Sequence, residues 1–380
     1  MLIDAIRAIY KTNLGIKDNE KTLVFTDRLS GSEIIDAYEQ CRRERLRDIA
    51  LLTAEAGRAF TKKVIFFEYP STLGHGKEPP VQLWSLAFGD KAVKGLTDAG
   101  LLKPLLNKEI NDEGIRIAEG IIKRQRRSSV SAVIALSNYS TSHTRFRDLL
   151  TRVCGARYAS MPLFDFAMLE GAMNVDWKAL AKRTESIAKM VNNAQDIELK
   201  TMNGTHLCFS KAGRKAYSDT GILTKAGSFG NLPAGEVYLA PLEGTANGRL
   251  VLEWAPTREL ASPITLIIKK GVVVEVLGDE PYADYLRSRL NERMENANIA
   301  ELGIGTNDKA QRPDNILESE KILGTIHIAL GDNSSFSGSI RTPFHQDFVF
   351  FRPTLLLINK NGKKTALMKD GRFIYGCRYA

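Results

Sequence analysis

The first half of the chain alternates short apolar runs with longer stretches in which apolar positions recur at helical spacing. Short runs of this kind are typical of buried strands, and the longer stretches are typical of amphipathic helices. Alternating strands and helices predict an α/β N-terminal domain with a largely parallel sheet. The predicted strands are residues 22–25, 64–69 and 131–136, and residues 32–55 and 143–153 are predicted helices.

From about residue 197 the pattern changes to strand, turn, strand. Three hairpins are predicted, separated by turn residues such as Asn203-Gly204, and one helix at residues 284–294 interrupts them. This change predicts a β-rich α+β C-terminal metal-binding domain, with the division at 1–195 and 196–380. The isolated glycine pairs Gly303-x-Gly305 and Gly74-His75-Gly76 are interpreted as turns. The hairpin strands are residues 198–202 with 206–209, 264–269 with 272–277, and 355–358 with 365–368.

Composition narrows the class of protein. The apolar fraction of 43% and the charged fraction of 26% are those of an ordinary globular protein. No apolar run approaches the roughly 18 residues of a membrane-spanning helix, and scattered cysteines suggest reduced thiols, so we expect a cytoplasmic protein without a membrane partner. Lys and Arg exceed Asp and Glu by 53 minus 44, or +9, but the excess is diffuse and predicts no nucleic-acid partner.

Histidine chemistry has few candidates, because the chain contains only five histidines. His345 and Asp347 are two residues apart in an apolar-flanked segment, so on a strand both side chains would lie on the same face. Such a pair can supply two metal ligands from one strand. By itself it is more often a structural hydrogen bond between imidazole and carboxylate.

Three further residues stand in similar settings. His327 lies in an apolar strand, where a lone histidine is usually a satisfied core residue. Glu236 and Glu301 lie beside glycines that permit close approach of the backbone, and apolar residues flank both. Charged groups in such surroundings need a partner.

Together these residues resemble the aminopeptidase T family of metallopeptidases, in which Glu, Glu, His, Tyr, His and Asp surround a pair of metal ions. The resemblance covers residues 196–355 well and extends more loosely into the first half. It implies that Glu236, Glu301, His327, His345 and Asp347 are metal ligands. The sixth ligand departs from the family, because Ser334 stands where the peptidases have Tyr, with Phe336 nearby.

The resemblance favours a metal-dependent aminopeptidase-like hydrolase with two divalent ions, Zn, Co or Mn, acting on a short peptide or a related small amide. Two ions would activate a bridging water and polarise a carbonyl. Glu301, Glu318 and Glu320 are the candidate proton shuttles, and the sequence does not choose among them. The family also implies a homodimer, and no organic cofactor is expected.

A second reaction stays open. His327, His345 and Asp347 alone form a 2-His-1-carboxylate set, which suits one Fe(II) ion. A branch with the same fold, similar to 2,5-dihydroxypyridine dioxygenase, opens aromatic N-heterocycles in this way, and His143 would be an acid or base there. Retention of both Glu236 and Glu301 favours the hydrolase. A catalytically inactive binding protein is the third possibility.

Overall fold

The computed structural model describes residues 2–374 of the chain. Cys377 lies outside them, and Cys41, Cys154 and Cys208 are free thiols. The helices are α1 (Leu2–Ala8), α2 (Ala37–Gly57), α3 (Val81–Phe88), α4 (Asp90–Asp98), α5 (Leu102–Leu106), α6 (Asp112–Gln125), α7 (Arg145–Arg152), α8 (Phe166–Glu170), α9 (Trp177–Asn192), α10 (Pro281–Glu292) and α11 (Ile316–Ser319).

The described residues also form eighteen β-strands. They are β1 (Thr22–Arg28), β2 (Val64–Pro70), β3 (Ala132–Ala135), β4 (Arg157–Ser160), β5 (Asp196–Lys200), β6 (His206–Ser210), β7 (Tyr217–Asp219), β8 (Phe229–Asn231), β9 (Glu236–Leu239), β10 (Asn247–Ala255), β11 (Arg258–Lys269), β12 (Val272–Leu277), β13 (Ile299–Gly305), β14 (Ile326–Gly331), β15 (His345–Phe350), β16 (Thr354–Ile358), β17 (Lys364–Lys369) and β18 (Arg372–Phe373).

The chain forms two compact units, and each unit is made of two segments of the chain. One contains residues 2–174 and Gly221–Pro233, and the other contains Val175–Thr220 and residues 234–374. Helix α9 therefore belongs to the second unit and strand β8 to the first. The division into domains 1–195 and 196–380 stays a prediction.

The first unit is built on a parallel sheet of order β2-β1-β3-β4-β8. Strand β3 is buried at every position, as expected for a strand covered by helices on both faces. Its core includes Phe25, Trp84, Phe146 and Tyr158. This arrangement confirms the predicted α/β fold of the N-terminal half. In the described residues, no helix is long and apolar enough to cross a membrane.

The second unit is antiparallel and β-rich, as predicted. One sheet has the order β12-β11-β10-β6-β5-β16-β17-β18 and contains all three predicted hairpins. A second sheet, called the ligand sheet below, has the order β15-β14-β13-β9-β7. One face of the ligand sheet packs into the core of this unit through Val237, Leu239, Leu302, Ile304, Ile326, Ile328, Leu330, Phe348 and Phe350.

Candidate metal centre

The five predicted ligands lie on the other face of the ligand sheet. Side chains alternate along a strand, so residues flanking the core positions point away from the core. Glu236 comes from β9, Glu301 from β13, His327 from β14, and His345 and Asp347 from β15. Strand pairing brings them together, with Glu301 and Asp347 both opposite Ala329 in the register.

The side chains converge at short range. His327 Nε2 lies 3.6 Å from Glu236 Oε2, 3.5 Å from Glu301 Oε1 and 3.9 Å from Asp347 Oδ1. His345 Nε2 lies 3.5 Å from Glu301 Oε2 and 3.6 Å from Asp347 Oδ1. The Glu301 carboxylate therefore spans the two imidazoles.

This donor set fits a divalent cation. Ligand atoms about 2.1 Å from an ion in tetrahedral geometry are about 3.4 Å apart, close to the separations of the present atoms. Glu236 Oε2 and Asp347 Oδ1 are buried and have no hydrogen-bond partner, which is costly for carboxylate oxygens unless a cation satisfies them. Glu301 belongs to two potential ligand groups, one with Glu236 and His327 and one with His345 and Asp347.

Small residues on the ligand face make room for the imidazoles. Gly303 pairs with His327 in the register, and a Cβ on Gly303 would come within 1.9 Å of the Cε1 atom of His327. Gly303 is thus an interior residue of β13 and Gly305 is its last residue, so their interpretation as a turn is wrong. The close approach of the Gly303 backbone to the His327 imidazole is what requires glycine at 303.

The His345 ring is held in one orientation. Its Nδ1 lies 2.7 Å from the carbonyl oxygen of Asp332, so Nδ1–H donates and Nε2 keeps its lone pair for an ion. The Asp332 carboxylate in turn accepts hydrogen bonds from Ser334 Oγ at 3.0 Å and from the Thr342 amide at 3.0 Å. Ser334 therefore bonds to Asp332, and its side chain does not replace the missing phenol.

Both histidines are strongly basic among these carboxylates. Burial lowers the pKa of His327, but the contact with Glu301 and the charges of Glu236 and Asp347 outweigh it and raise the pKa to about 9. Burial also lowers the pKa of His345, and Asp347 and Glu301 raise it to about 10. Protons on these imidazoles balance the carboxylates, and a bound divalent ion would replace them.

Lys321 is a site residue that the sequence analysis missed. Its side chain is fully buried, and its Nζ lies 2.8 Å from Glu236 Oε1 and 2.8 Å from Glu320 Oε2. Burial alone would lower the pKa of Lys321, but Glu236 and Glu320 raise it well above its ordinary value. The lysine is therefore a charged ammonium inside the candidate centre.

The predicted proton shuttles separate into different environments. Glu320 contacts Lys321, and its pKa is raised by burial and by the charge of Asp347, which places it beside the centre. Glu318 Oε1 instead accepts the backbone amides of Gln311 and Arg312, which is a structural role. A proton-shuttle role for Glu318 stays a prediction.

His143 lies in the first unit, immediately before Thr144, whose hydroxyl caps helix α7. Its backbone carbonyl accepts a hydrogen bond from Lys108 Nζ at 2.9 Å. Its side chain is exposed. An acid or base role for His143 stays a prediction.

An aromatic row lies beside the ligands, and the sequence analysis noted only one member of it. The Tyr238 ring stacks on Tyr217 with centroids 5.6 Å apart and meets the Phe336 ring edge-on at 5.8 Å. Phe336 in turn meets His345 at 6.2 Å. Tyr238 lies opposite Gly303 in the register, a relation visible only once the strands are paired.

A second group with metal-ligand chemistry lies on the larger sheet and consists of Glu198, His206 and Cys208. The Glu198 carboxylate is already in ion pairs, 2.6 Å from Lys200 Nζ and 2.7 Å from Lys364 Nζ. Its His206 contact is 3.0 Å long. Because the two lysines neutralise the carboxylate, this group is better explained as a salt-bridge network.

Comparison with known structures identifies two proteins that have a similar fold. A structure of 2,5-dihydroxypyridine dioxygenase from Pseudomonas putida KT2440 aligns with a TM-score of 0.69 and 17% identity, covering 99% of this chain and 97% of that one. Wild-type AmpT from Thermus thermophilus aligns with a TM-score of 0.58 and 15% identity, covering 98% of each chain. At these identities the two likenesses show the fold alone, and it is the fold that the sequence resemblance predicted.

A search among curated proteins gave no match to the sequence. The structural neighbours include both a dioxygenase and an aminopeptidase T, so they do not decide between the two predicted reactions. The sequence model of the 2,5-dihydroxypyridine 5,6-dioxygenase family, NicX, matches residues 168–373, which is more than half of the chain and includes every candidate ligand. The chain belongs to this family.

Proposed function

We propose that the chain is a metal-dependent dioxygenase that opens an electron-rich aromatic ring, with its ion bound by His327, His345 and Asp347. The observation that carries the proposal is the 2-His-1-carboxylate set itself. Nε2 of both histidines lies within 4 Å of Asp347 Oδ1, and that oxygen is buried without a hydrogen-bond partner. Fe(II) in such a set keeps positions open for oxygen and for a substrate hydroxyl.

The residues around the set have separate tasks. The Asp332 carbonyl fixes the tautomer and orientation of His345. The Glu301 carboxylate, 3.5 Å from each imidazole, is placed to accept a proton from a ring hydroxyl. The His345 side chain is 33% exposed whereas that of His327 is 2% exposed, so substrate would enter from the His345 side.

The aromatic row supports a planar substrate. Phe336 and Tyr238 provide ring faces and edges next to His345, and aromatic rings pack well against one another in offset or edge-on geometry. The family name supplies the probe, a dihydroxylated pyridine. We propose a small aromatic molecule of this class as the substrate.

The hydrolase favoured by the sequence analysis is the second candidate. Its support is Glu301, which both potential ligand groups share, as a carboxylate bridging two ions would. In that case two Zn, Co or Mn ions would act on a short peptide or small amide. Ser334 weighs against it, because its hydroxyl bonds to Asp332 where the peptidases have a phenol.

The test compares two assays on the full chain. After anaerobic loading with Fe(II), we expect stoichiometric oxygen uptake and loss of ring absorbance with 2,5-dihydroxypyridine. We expect no cleavage of amino-acyl anilides after loading with Zn, Co or Mn. Anilide cleavage without oxygen uptake would reject the dioxygenase in favour of the hydrolase. If neither activity is found, 2,5-dihydroxypyridine is rejected as a substrate of the dioxygenase and amino-acyl anilides are rejected as substrates of the hydrolase.

A further inference from the structure

Lys321 contributes a positive charge at one end of the candidate centre. Its side chain is fully buried, and Nζ donates to Glu236 Oε1 and to Glu320 Oε2, both at 2.8 Å. The other Glu236 oxygen, Oε2, faces His327 Nε2 at 3.6 Å. Glu236 is therefore shared between the ammonium and the ligand cluster.

The backbone keeps Lys321 in place. The Asn307 amide donates to the Lys321 carbonyl at 2.8 Å, and the Leu323 amide donates to the Asn307 carbonyl at 3.0 Å. The Lys321 amide itself donates to the Glu318 carbonyl at 2.9 Å. With the backbone bonded on both sides and the side chain closed off from solvent, the ammonium has no exposed position to move to.

A second metal ion would need the same carboxylate. Its ligand group would be Glu236, Glu301 and His327. An ion on Glu236 Oε2 would lie one carboxylate away from the Lys321 ammonium, and two cations repel strongly where water is excluded. A buried charge is retained only where opposite charges compensate it, and Glu236 with Glu320 already compensate Lys321.

We propose that the Lys321 ammonium takes the place of a second metal ion, so that the centre binds one divalent ion and Glu236 is the partner of the lysine. This inference rests on the proposed metal centre and deepens it. A fixed ammonium balances charge and positions Glu236, but it cannot bind a substrate oxygen or a nucleophilic water as a metal ion does. One ion on His327, His345 and Asp347 is the arrangement that the proposed non-haem Fe(II) dioxygenase would use.

The test counts metal ions in the full chain. Wild type, Lys321→Met and the control Lys211→Met are dialysed to equilibrium against Mn(II), and bound metal is measured by elemental analysis and electron paramagnetic resonance. Lys211 is a matched control because it is also a buried lysine of the same unit, but its Nζ donates to the Ala194 carbonyl at 3.1 Å. We expect one ion in wild type and in Lys211→Met.

In Lys321→Met we expect two ions with a spin-coupled spectrum, because Glu236 and Glu320 then lack their cation. Two ions in wild type, or one or none in Lys321→Met, would overturn the proposal.

If Lys321→Met does not fold, the variant Glu236→Gln tests the proposal instead. We expect it to keep one ion with a wild-type spectrum, and loss of that ion would show that Glu236 is a ligand. One ion without oxygen uptake would reject the dioxygenase but leave the inference about Lys321 standing.

Discussion

The imidazole of His327 lies directly against the backbone of Gly303 on the neighbouring strand, with no room between them for a methyl group. Gly303→Ala should therefore displace the ring and lower metal affinity, by on the order of 10- to 100-fold, as for other changes that misorient a ligand. Competition with a chelating dye measures the affinity. Gly31→Ala is the control, because nothing lies within 4 Å of its added Cβ. Equal affinity in the two variants would contradict the geometry.

His345→Ala should remove most of the bound metal, because it deletes a nitrogen ligand whose orientation the Asp332 carbonyl fixes. His206→Ala should leave the metal content unchanged, since His206 bonds to Glu198 on a different sheet. Elemental analysis after purification without added metal distinguishes the two. If His345→Ala retains its metal, the candidate centre is wrong for either reaction.

The two neighbouring glutamates should differ in their effect on turnover. Glu320→Gln should lower kcat, because it removes one of the two carboxylates that compensate the buried Lys321 ammonium beside the centre. Glu318→Gln should leave kcat nearly unchanged, because an amide oxygen can still accept the amides of Gln311 and Arg312. Steady-state oxygen uptake measures both. A loss in Glu318→Gln that equals the loss in Glu320→Gln would contradict this assignment.

Phe336→Ala should raise KM for an aromatic probe more than it lowers kcat, because the ring packs beside His345 without being a ligand. The loss of one aromatic contact is worth about 1 kcal/mol, or about fivefold in KM. Phe351→Ala is the control, since Phe351 packs against Trp254 instead. Unchanged KM in Phe336→Ala would place the substrate elsewhere.

Acid should weaken the first unit through Glu33. Burial raises the pKa of this carboxyl, but hydrogen bonds from Ser71, the Ser30 amide, Arg43 and Tyr139 outweigh burial and lower the pKa to about 2. A lowered pKa in the folded state stabilises the protein fully above the ordinary value of about 4.5, and that stabilisation is lost as the pH falls towards 2.

The free energy of unfolding of wild type should therefore exceed that of Glu33→Gln by a constant amount above pH 5, and the gap should close below pH 4.5. Urea unfolding at several pH values measures it. Glu55→Gln is the control, because the ion pair of Glu55 with Arg58 is 68% exposed on both sides and contributes little. A gap that is independent of pH would show that the Glu33 charge is not responsible.

The parts of the fold with strong local patterns were predictable. Asn203-Gly204 marks the hairpin of β5 and β6, and alternation in β15 puts His345 and Asp347 on one face. Strand β8 was missed because three residues carry too little periodicity, and only pairing with β4 assigns it to the parallel sheet. The membership of helix α9 in the second unit was not predictable, because sequence position does not show which core a helix packs against.

The convergence of the five candidate ligands could be predicted from the family resemblance, whereas the other residues of the candidate centre could not be predicted. Lys321 follows the segment Glu318-Ser319-Glu320, which is typical of a charged surface, and its burial depends on the ion pair with the distant Glu236. The requirement for glycine at position 303 arises because Gly303 pairs with His327 in the register, and local sequence does not reveal this pairing. Such relations arise from tertiary contacts between strands far apart in the chain.

The two-faced character of the ligand sheet makes the centre sensitive to chain length. Because His327 faces the ligands and Ile328 faces the core, inserting or deleting one residue in β14 would exchange their sides. The imidazole of His327 would then point into the apolar core, and the side chain of Ile328 would point into the candidate metal centre. Substitutions can change this centre gradually, whereas an insertion or deletion within its strands would destroy binding and folding together.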